Sequence, residues 1–185
     1  NIAKAATRAL LLNHDSASVR RLLNLRPTEP TLKNSVMFAL SFRDISEGVN
    51  ASLNYFDEAD KKISKLGASK IKNGTHVFVH CHSSTLIGVL KEAKRQGKKF
   101  TVHSTETRPL YQGRITARDL SAVGIPVVHY IDSAARVAIK KCDLALFGAD
   151  AITPKKIYNK IGSEMFAIIA KGQKVTVSVP LEFDG

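Results

Sequence analysis

Several residue types are scarce in this chain of 185 residues, and each shortage narrows what the protein can be. Tryptophan is absent and aromatic residues make up only 6%, which disfavours binding of single-stranded nucleic acid, because that binding relies on bases stacking on aromatic side chains. The only two cysteines, Cys81 and Cys142, exclude a small disulfide-stabilised scaffold. They lie in dissimilar segments, so we expect reduced thiols and a cytoplasmic location.

Long apolar runs are also missing. No segment approaches the ~20 apolar residues that are needed to cross a bilayer, and no basic-then-apolar leader precedes Ile2. The sequence has neither a Gly-x-Gly-x-x-Gly fingerprint nor a Walker A loop, so the usual local evidence for redox cofactors and nucleoside triphosphates is missing. We therefore predict a soluble protein that does not contact membranes.

Positive charge is abundant, since 28 Lys and Arg residues stand against 16 Asp and Glu residues and give a net charge of +12. This balance suits an anionic partner such as nucleic acid, an acidic lipid surface or a phosphorylated metabolite. A well-solvated basic surface without any ligand explains the charge equally well. The basic residues are spread along the chain rather than clustered, which disfavours nucleic acid as the partner.

The first seventy residues favour helices. An apolar stripe places one side of the first helix in a core, and two prolines, Pro27 and Pro30, end the second helix. The fourth helix is predicted to stop at Gly67. The predicted helices are a first from about Ile2 to Leu12, a second capped by Ser16, a third capped by Thr31 and a fourth from about Gly48 to Leu66.

After Gly67, short apolar β-branched runs alternate with helix-length spacers, which indicates a doubly wound parallel sheet whose two faces are covered. The sequence thus predicts the α/β class, with a helical N-terminal domain over residues 1–70 and a Rossmann-like domain over residues 71–185. The predicted strands are Thr75–His80, Phe100–Ser104, Val127–Ile131, Leu144–Gly148 and Val175–Val179. The predicted helices are Thr85–Gln96, Ile115–Val123, Ser133–Lys141 and Ser163–Lys171.

In an open parallel sheet, ligands bind at the carboxyl ends of the strands, so polar residues just past each strand are site candidates. Cys81 follows the first strand at a helix start, which favours the thiolate and makes it a competent base. Asp150 follows the fourth strand among apolar neighbours, which favour the protonated acid. Asp132 follows the third strand, and we expect it to be a helix N-cap rather than a catalytic group.

The segment after the first strand has the features of an anion site but not those of a metal site. Ser83 and Ser84 lead from a strand into a helix, where backbone N–H groups and hydroxyls attract phosphate. His80 and His82 flank Cys81, but alternation along a strand end turns the thiol away from them, and no spaced cysteine or histidine pair supplies further ligands. We therefore predict no metal site. The remaining histidines, His76, His103 and His129, are expected to be hydrogen-bonded structural residues, and Cys142 is expected to be inert.

Four segments in order resemble one known family, that of the initiation factor 2B α, β and δ subunits and the sugar-phosphate isomerases. Arg26-Pro27-Thr28 is similar to an arginine-proline-threonine loop of that family. The resemblance covers most of the chain from Arg26 onward and implies a helical N-terminal domain followed by a Rossmann-like domain. The four segments are Val79–Thr85, Glu106–Pro109 with Gln112–Arg114, Gly148–Ile152 and Asn159–Gly162.

The resemblance also implies roles for individual residues. Isomerases of the family carry a cysteine in the first segment and an aspartate in the third, and these positions match Cys81 and Asp150. The factor subunits, which have no catalytic role, often lose both. Arg26, Asn159 and Lys160 are implied to contact phosphate or sugar. With Arg108, Ser83 and Ser84 they complete the predicted substrate contacts.

The form His-Cys-His-Ser-Ser is most similar to that of the archaeal ribose 1,5-bisphosphate isomerases, which serve nucleotide salvage from AMP. This implies a cofactor-free aldose–ketose isomerase with Cys81 as base and Asp150 as acid. Two alternatives stay open: a methylthioribose 1-phosphate isomerase, and a non-catalytic regulatory subunit that senses a sugar phosphate or nucleotide.

The resemblance also suggests a homo-oligomer, either a dimer or a hexamer. It leaves open whether AMP acts as an effector. It also leaves open the role of Glu182, which stands near a position where the family has a lysine.

Overall fold

The computed structural model describes residues 2–179, which divide into two compact units. Within this range, one unit comprises residues 2–60 and 150–158, and the other comprises residues 61–149 and 159–179. No helix in the described range has both the length and the hydrophobicity needed to span a bilayer. Glu182 lies outside the described residues.

Helices dominate the first unit. They are α1 (Ile2–Ala9), α2 (Ser16–Asn24), α3 (Pro30–Leu40) and α4 (Ile45–Ser69), and the last turns of α4 belong to the second unit. A short antiparallel hairpin, β5 (Ala151–Ile152) and β6 (Ile157–Tyr158), completes the first unit. Small and branched side chains let the first three helices and the start of α4 pack closely. The core residues are Ala3, Ala6, Leu10, Leu32, Val36, Ala39 and Val49.

Several of the predicted helix boundaries are wrong for local reasons. Asp15 rather than Ser16 caps α2, because its carboxylate accepts the Ser18 N–H at 2.7 Å. The third helix begins at Pro30, before Thr31. Proline is favoured in the first turn of a helix because an N–H there would have no acceptor within the helix, so its absence costs nothing. Gly67 lies inside α4 instead of ending it.

The reason for Gly67 is close packing between two helices of the second unit. A Cβ at this position would lie 2.5 Å from Cγ2 of Val89, on helix α5 (Ser84–Arg95). Glycine therefore lets α4 approach α5 without a clash. The fourth helix also starts earlier than Gly48, because the Asp44 carboxylate accepts the Glu47 N–H at 2.9 Å and caps the helix there.

The second unit contains a five-stranded sheet in the order β3-β2-β1-β4-β7, with every neighbouring pair parallel. This confirms the predicted α/β class. The strands are β1 (His76–Val79), β2 (Thr101–Thr105), β3 (Val127–Tyr130), β4 (Leu144–Leu146) and β7 (Thr176–Ser178). The helices between them are α5, α6 (Gln112–Ser121), α7 (Ala135–Ile139) after a short 3-10 turn, and α8 (Ser163–Gly172).

Successive side chains of the central strands point to opposite faces of the sheet and pack into two separate hydrophobic cores. Val77 and Val79 of β1 point to a cluster shared with Leu86, Val89 and Leu90 of α5. Phe78 points to the opposite face, where the cluster includes Ala138 and Phe166 from α7 and α8. These two covered faces explain why β1 and β4 have nearly continuous apolar sequences.

The outer strands depart from this prediction. Val128 of β3 is 41% exposed and Val177 of β7 is 40% exposed, so the two edges of the sheet in the described range are less covered than expected. Central strands have a neighbour on each side, whereas an edge strand has one. Apolar composition alone does not separate the two cases.

The strand order indicates the position of a ligand site at one edge of the sheet. From β1 the chain adds β2 and β3 on one side of the sheet and then returns to add β4 and β7 on the other side. Connections therefore leave β1 and β4 in opposite directions, which opens a crevice at their carboxyl ends. His80 follows β1 there, and Phe147 and Gly148 follow β4.

Candidate functional site

Ser83 caps helix α5 at the carboxyl end of β1. Its hydroxyl accepts the Leu86 N–H at 3.4 Å, which starts the helix at Ser84. A Cβ on Gly148 would lie 3.1 Å from the Ser83 hydroxyl oxygen and 3.9 Å from Oδ1 of Asn159. The loops that follow β1 and β4 and the segment before α8 therefore meet at this point, and the exposed Ser84 adjoins them.

Cys81 lies two residues before the cap of α5, in a half-buried position. Its backbone has φ of 72°, in the left-handed region that non-glycine residues rarely adopt. The Cys81 N–H donates to the Thr107 hydroxyl at 3.0 Å, and the Cys81 carbonyl accepts from the Thr116 hydroxyl at 2.9 Å. Both sides of this unusual backbone conformation are therefore held by buried threonines.

Asp132 has a different role from the predicted helix cap. No side chain caps the short turn that it begins, because its carboxylate reaches across to the loop after β2. One oxygen accepts the Thr107 N–H at 2.9 Å and the other accepts the Arg108 N–H at 2.7 Å. Partial burial raises the pKa of Asp132, but these hydrogen bonds, assisted by Thr105 and His80, outweigh it and hold the pKa below its usual value.

His80 joins strand β1 to the segment before α8. Its Nε2 lies 3.0 Å from the Ile161 carbonyl oxygen, which can only accept, so we assign the proton to Nε2. Its Nδ1 then accepts from the Thr105 hydroxyl at 2.8 Å. Burial lowers the pKa of His80, with the charge of Lys160 acting in the same direction, although Ile161 and Asp132 oppose the shift. The ring is neutral and structural.

The segment that carries Asn159 and Lys160 is braced by its own hydrogen bonds. Asn159 Nδ2 donates to the Ser163 hydroxyl at 2.9 Å, and that hydroxyl donates to the Lys160 carbonyl at 2.7 Å. Gly162 has φ of +96°, and a Cβ there would lie 3.3 Å from Nε2 of His80. The turn therefore brings Lys160, which is half-buried, to the same edge of the sheet as Ser83.

Arg108 adds positive charge at the end of β2. Its guanidinium lies over the ring of Tyr111, 4.7 Å from the ring centroid. Arg108 is exposed to solvent. Arg114 lies over the same ring at 3.9 Å but also pairs with Glu106 at 3.3 Å. Arg108 thus presents a cation to solvent beside the crevice, on an aromatic support.

Two predicted site residues belong to the other compact unit. Asp150 is exposed, and its N–H donates to the Tyr158 carbonyl at 2.8 Å within the hairpin. Ile152 and Tyr158 of the same hairpin are also partly exposed to solvent. Arg26 is exposed as well and forms an ion pair with Glu29. Neither residue shares a unit with Cys81.

The histidines and the second cysteine behave as the sequence predicts. His76 Nδ1 lies 2.9 Å from His103 Nε2, and His129 Nδ1 lies 2.8 Å from the Ser104 hydroxyl. Neither cysteine of the chain is in a disulfide. Burial raises the pKa of Cys142 to about 12, so this thiol is inert. Within residues 2–179, no group of three or more His, Cys, Asp or Glu residues is arranged to hold a metal.

Three threonines, Thr105, Thr107 and Thr116, belong to the site although the predicted substrate contacts do not include them. Each is fully buried beneath or beside the Cys81 loop. Thr105 ends strand β2, where threonine is common, while Thr107 lies in the following loop and Thr116 in α6, so residue type alone carries no functional signal. The one available signal was the position of Thr105 and Thr107 at the carboxyl end of β2, next to the predicted crevice.

Comparison with known proteins gives a match to one family and several relatives that carry different names. Residues 2–184 match the profile of the initiation factor 2 subunit family. A ribose 1,5-bisphosphate isomerase of Pyrococcus furiosus is 36% identical over 97% of this chain, which spans 60% of that relative. A protein of the same organism named as similar to eIF-2B subunit 2 is 33% identical over 88% of the chain and 60% of its own length. A methylthioribose-1-phosphate isomerase of Caldanaerobacter subterraneus is 37% identical over 71% of the chain and 43% of its own length.

Solved structures show the same fold. The translation initiation factor eIF-2B of Pyrococcus horikoshii OT3 superposes with a TM-score of 0.89 at 24% identity, covering 96% of this chain and 70% of that one. A chain of the tetrameric eIF2B-beta2-delta2 complex from C. thermophilum gives a TM-score of 0.70 at 18% identity, covering 94% of this chain and 61% of that one. At these identities the similarity concerns the fold alone.

Proposed function

Since the chain belongs to the initiation factor 2 subunit family, we propose that it is an isomerase that converts ribose 1,5-bisphosphate to ribulose 1,5-bisphosphate. The observation that carries the proposal is its similarity, at 33–39% identity, to several archaeal relatives named ribose 1,5-bisphosphate isomerase. The position of Cys81 in the switch-point crevice supports it. As the resemblance implies, the product would enter nucleotide salvage.

The proposed chemistry follows from the substrate. Phosphate on the anomeric oxygen blocks spontaneous ring opening, so the conversion needs an acid at the ring oxygen and a base at C2. In the proposed step the Cys81 thiolate takes the C2 proton while Asp150 protonates the ring oxygen, and the ring C1–O bond breaks. The Cys81 thiol then returns its proton to C1 of the resulting enol while the C2 hydroxyl gives its proton to the Asp150 carboxylate as the ketone forms, so both residues are regenerated and no atom or electron is gained or lost. No cofactor takes part.

We assign the two phosphates to the positive and hydroxyl-bearing residues that the resemblance and the carboxyl edge of the sheet indicate. Two phosphate esters carry roughly 3 to 4 negative charges at neutral pH, which Arg26, Arg108 and Lys160 would balance. Ser83 and Ser84 stand at the N-terminus of α5, where free N–H groups favour an anion. Asn159 would contact the sugar. The net charge of +12 supports an anionic substrate.

The test is a substrate comparison with the purified protein. We expect ketose formation from ribose 1,5-bisphosphate and none from methylthioribose 1-phosphate. Turnover of methylthioribose 1-phosphate alone would favour the alternative isomerase, to which the Caldanaerobacter relative points. Turnover of neither would contradict an enzymatic function and favour a regulatory subunit that binds a sugar phosphate or nucleotide, as the eIF-2B-like relative suggests.

Point variants test the assigned roles. Cys81→Ser and Asp150→Asn should each lower kcat by about 100-fold or more, because each removes one proton-transfer group. Cys142→Ala and Asp119→Asn are matched controls, since Cys142 is buried in the second core and Asp119 is a half-buried residue of α6 that pairs with Arg118. Wild-type turnover by Cys81→Ser or Asp150→Asn would refute that residue's role.

We further propose that the protein is cytoplasmic and forms a homo-oligomer. The absence of a disulfide between its two cysteines supports the location. The tetrameric complex that contains one of its structural neighbours supports the assembly. Light scattering during gel filtration distinguishes a monomer from a dimer or hexamer. Repeating it with AMP, and measuring turnover with and without AMP, tests whether AMP is an effector.

A further inference from the structure

The backbone of Cys81 is held from two sides by groups that the reaction scheme does not use. Cys81 and Thr107 both have positive φ, at 72° and 60°, and they are joined by the hydrogen bond from the Cys81 N–H to the Thr107 hydroxyl. Left-handed conformations of non-glycine residues persist only where the surroundings impose them. Two such residues in direct contact indicate that the local backbone is held in place.

Asp132 supplies the constraint on Thr107. Its two carboxylate oxygens accept the consecutive N–H groups of Thr107 and Arg108, at 2.9 and 2.7 Å. A carboxylate that accepts two backbone hydrogen bonds fixes the position of that peptide segment. Thr107 is fully buried, so its hydroxyl bonds within the protein: it accepts the Cys81 N–H and lies 3.3 Å from the Thr105 carbonyl oxygen and 3.4 Å from His80 Nδ1.

Thr116 completes the arrangement from the other side. This residue is buried in α6, and its hydroxyl donates to the Cys81 carbonyl at 2.9 Å. Since one threonine accepts from the Cys81 N–H and the other donates to its C=O, rotation of Cys81 to negative φ would break at least one of these hydrogen bonds. The path from Asp132 through Thr107 to Cys81 spans three loops of the sheet edge.

We propose that Thr107 and Asp132 are positioning residues that hold the Cys81 backbone in its left-handed conformation and so aim the thiol at the substrate. Neither residue transfers a proton in this scheme. Asp132 acts on Cys81 only through the peptide of Thr107. The consequence for catalysis rests on the proposed function, whereas the consequence for the Cys81 backbone and thiol does not.

Thr107→Val is the central variant, because valine keeps the branched shape and loses the hydroxyl. Thr107→Ser restores the hydroxyl and serves as the rescue. Asp132→Asn keeps the volume but weakens the acceptor pair, so a smaller effect in the same direction is expected. Thr101→Val, at the start of β2, is the matched control for a threonine-to-valine change, since Thr107 lies two residues past the other end of that strand.

Amide exchange reports on the backbone directly. The chain has only two cysteines, so protein labelled with ¹⁵N-cysteine gives two backbone amide signals. In Thr107→Val the Cys81 amide should exchange about tenfold faster or more, because its acceptor is lost. The Cys142 amide, which donates to the Ile139 carbonyl at 2.8 Å, should not change. Its constancy also verifies that the variant is folded.

Thiol alkylation and turnover complete the test. Iodoacetamide labels Cys81, and mass spectrometry measures the labelling rate across a range of pH. In Thr107→Val this rate should change by about fivefold or more. In Thr107→Ser and Thr101→Val it should change by less than about twofold. Turnover in Thr107→Val should fall by about 100-fold in kcat with KM within about twofold, as expected for a misplaced reacting group.

The outcomes separate the two proposals. Faster Cys81 exchange and altered labelling in a protein that turns over no sugar phosphate would support positioning and reject the proposed function. Unchanged exchange and labelling in Thr107→Val and Asp132→Asn would overturn the positioning proposal, whatever the activity. If Thr107→Val does not fold, as shown by a lost Cys142 signal, Asp132→Asn decides by the same readouts, with Thr107→Ser as the reference that should not change.

Discussion

His80 and Ile161 are joined by a hydrogen bond of 3.0 Å between the imidazole Nε2 and the carbonyl oxygen, across 81 positions of sequence. This bond attaches the segment of Asn159 and Lys160 to the end of the central strand. The His80 ring also packs on Phe166, with 4.4 Å between ring centroids. The positions of Asn159 and Lys160, two of the proposed substrate contacts, therefore depend on one buried, neutral imidazole.

The first prediction concerns pH. Burial lowers the pKa of His80, His103 and His129 below the ordinary value of 6.5. The unfolded chain therefore binds more protons than the native chain as the pH falls through and below 6.5, so stability is full above that pH and declines in acid. Each such proton contributes at most about 1.4 kcal/mol per pH unit.

Urea unfolding between pH 8 and pH 5 measures this dependence. The free energy of unfolding should decrease on acidification, and His80→Gln should reduce the slope. His14→Gln, at an exposed histidine of the helical unit, is the control. A stability that stays constant or rises toward pH 5 would contradict the neutral, buried state of these rings.

The second prediction concerns Gly162. Alanine there must adopt φ of +96° and place its Cβ 3.3 Å from both His80 Nε2 and Phe166 Cε2. We expect a loss of about 1–3 kcal/mol from backbone strain, with a further loss from overpacking. Gly97→Ala is the matched control, since Gly97 has φ of +78° with open space around it. Equal losses in the two variants, by chemical denaturation, would show that contact with His80 is unimportant.

The third prediction separates the two thiols. Burial raises the pKa of Cys142 to about 12, and its Sγ donates to the Ala138 carbonyl at 3.2 Å. The native protein should therefore be alkylated at Cys81 and not at Cys142 between pH 7 and pH 9, because the thiolate is the reactive form. In denaturant both should react. Peptide mapping reads out each site, and rapid labelling of native Cys142 would disprove its burial.

The sequence was sufficient to predict those features that depend on periodicity and on strand order. Alternating side chains such as Val77, Phe78 and Val79 mark a strand covered on both faces, and Cys81 and Ser83 follow it at the carboxyl end. Parallel topology then implies that the loops converge. These are local patterns combined with one general rule of chain connection.

Tertiary hydrogen bonds were not predictable in the same way. The carboxylate of Asp132 had two available uses, as a helix cap or as an acceptor for a neighbouring loop, and only the packed strands decide between them. The left-handed φ of Cys81 and Thr107 leaves no mark in the sequence, because neither is glycine or asparagine. The exposure of Asp150 depends on the hairpin of β5 and β6, whose strands are too short for a periodic signal.

The fourth prediction concerns Arg108 and follows from its support by Tyr111. The ring holds the Arg108 guanidinium at 4.7 Å while that of Arg114 is engaged by Glu106 at 3.3 Å. Arg108→Gln should therefore raise KM for ribose 1,5-bisphosphate by about tenfold with a smaller change in kcat, since the lost interaction is with a phosphate that does not react.

Tyr111→Leu should have the same effect at a smaller size, because the cation remains but its aromatic support is lost. Arg118→Gln, on the same helix as Arg114 and paired with Asp119, is the control and should leave KM unchanged. Added salt should raise the wild-type KM more than that of Arg108→Gln, because screening weakens an interaction that the variant already lacks. If both proteins respond equally to salt, Arg108 does not contact the substrate, and its position beside the crevice serves only the Tyr111 loop.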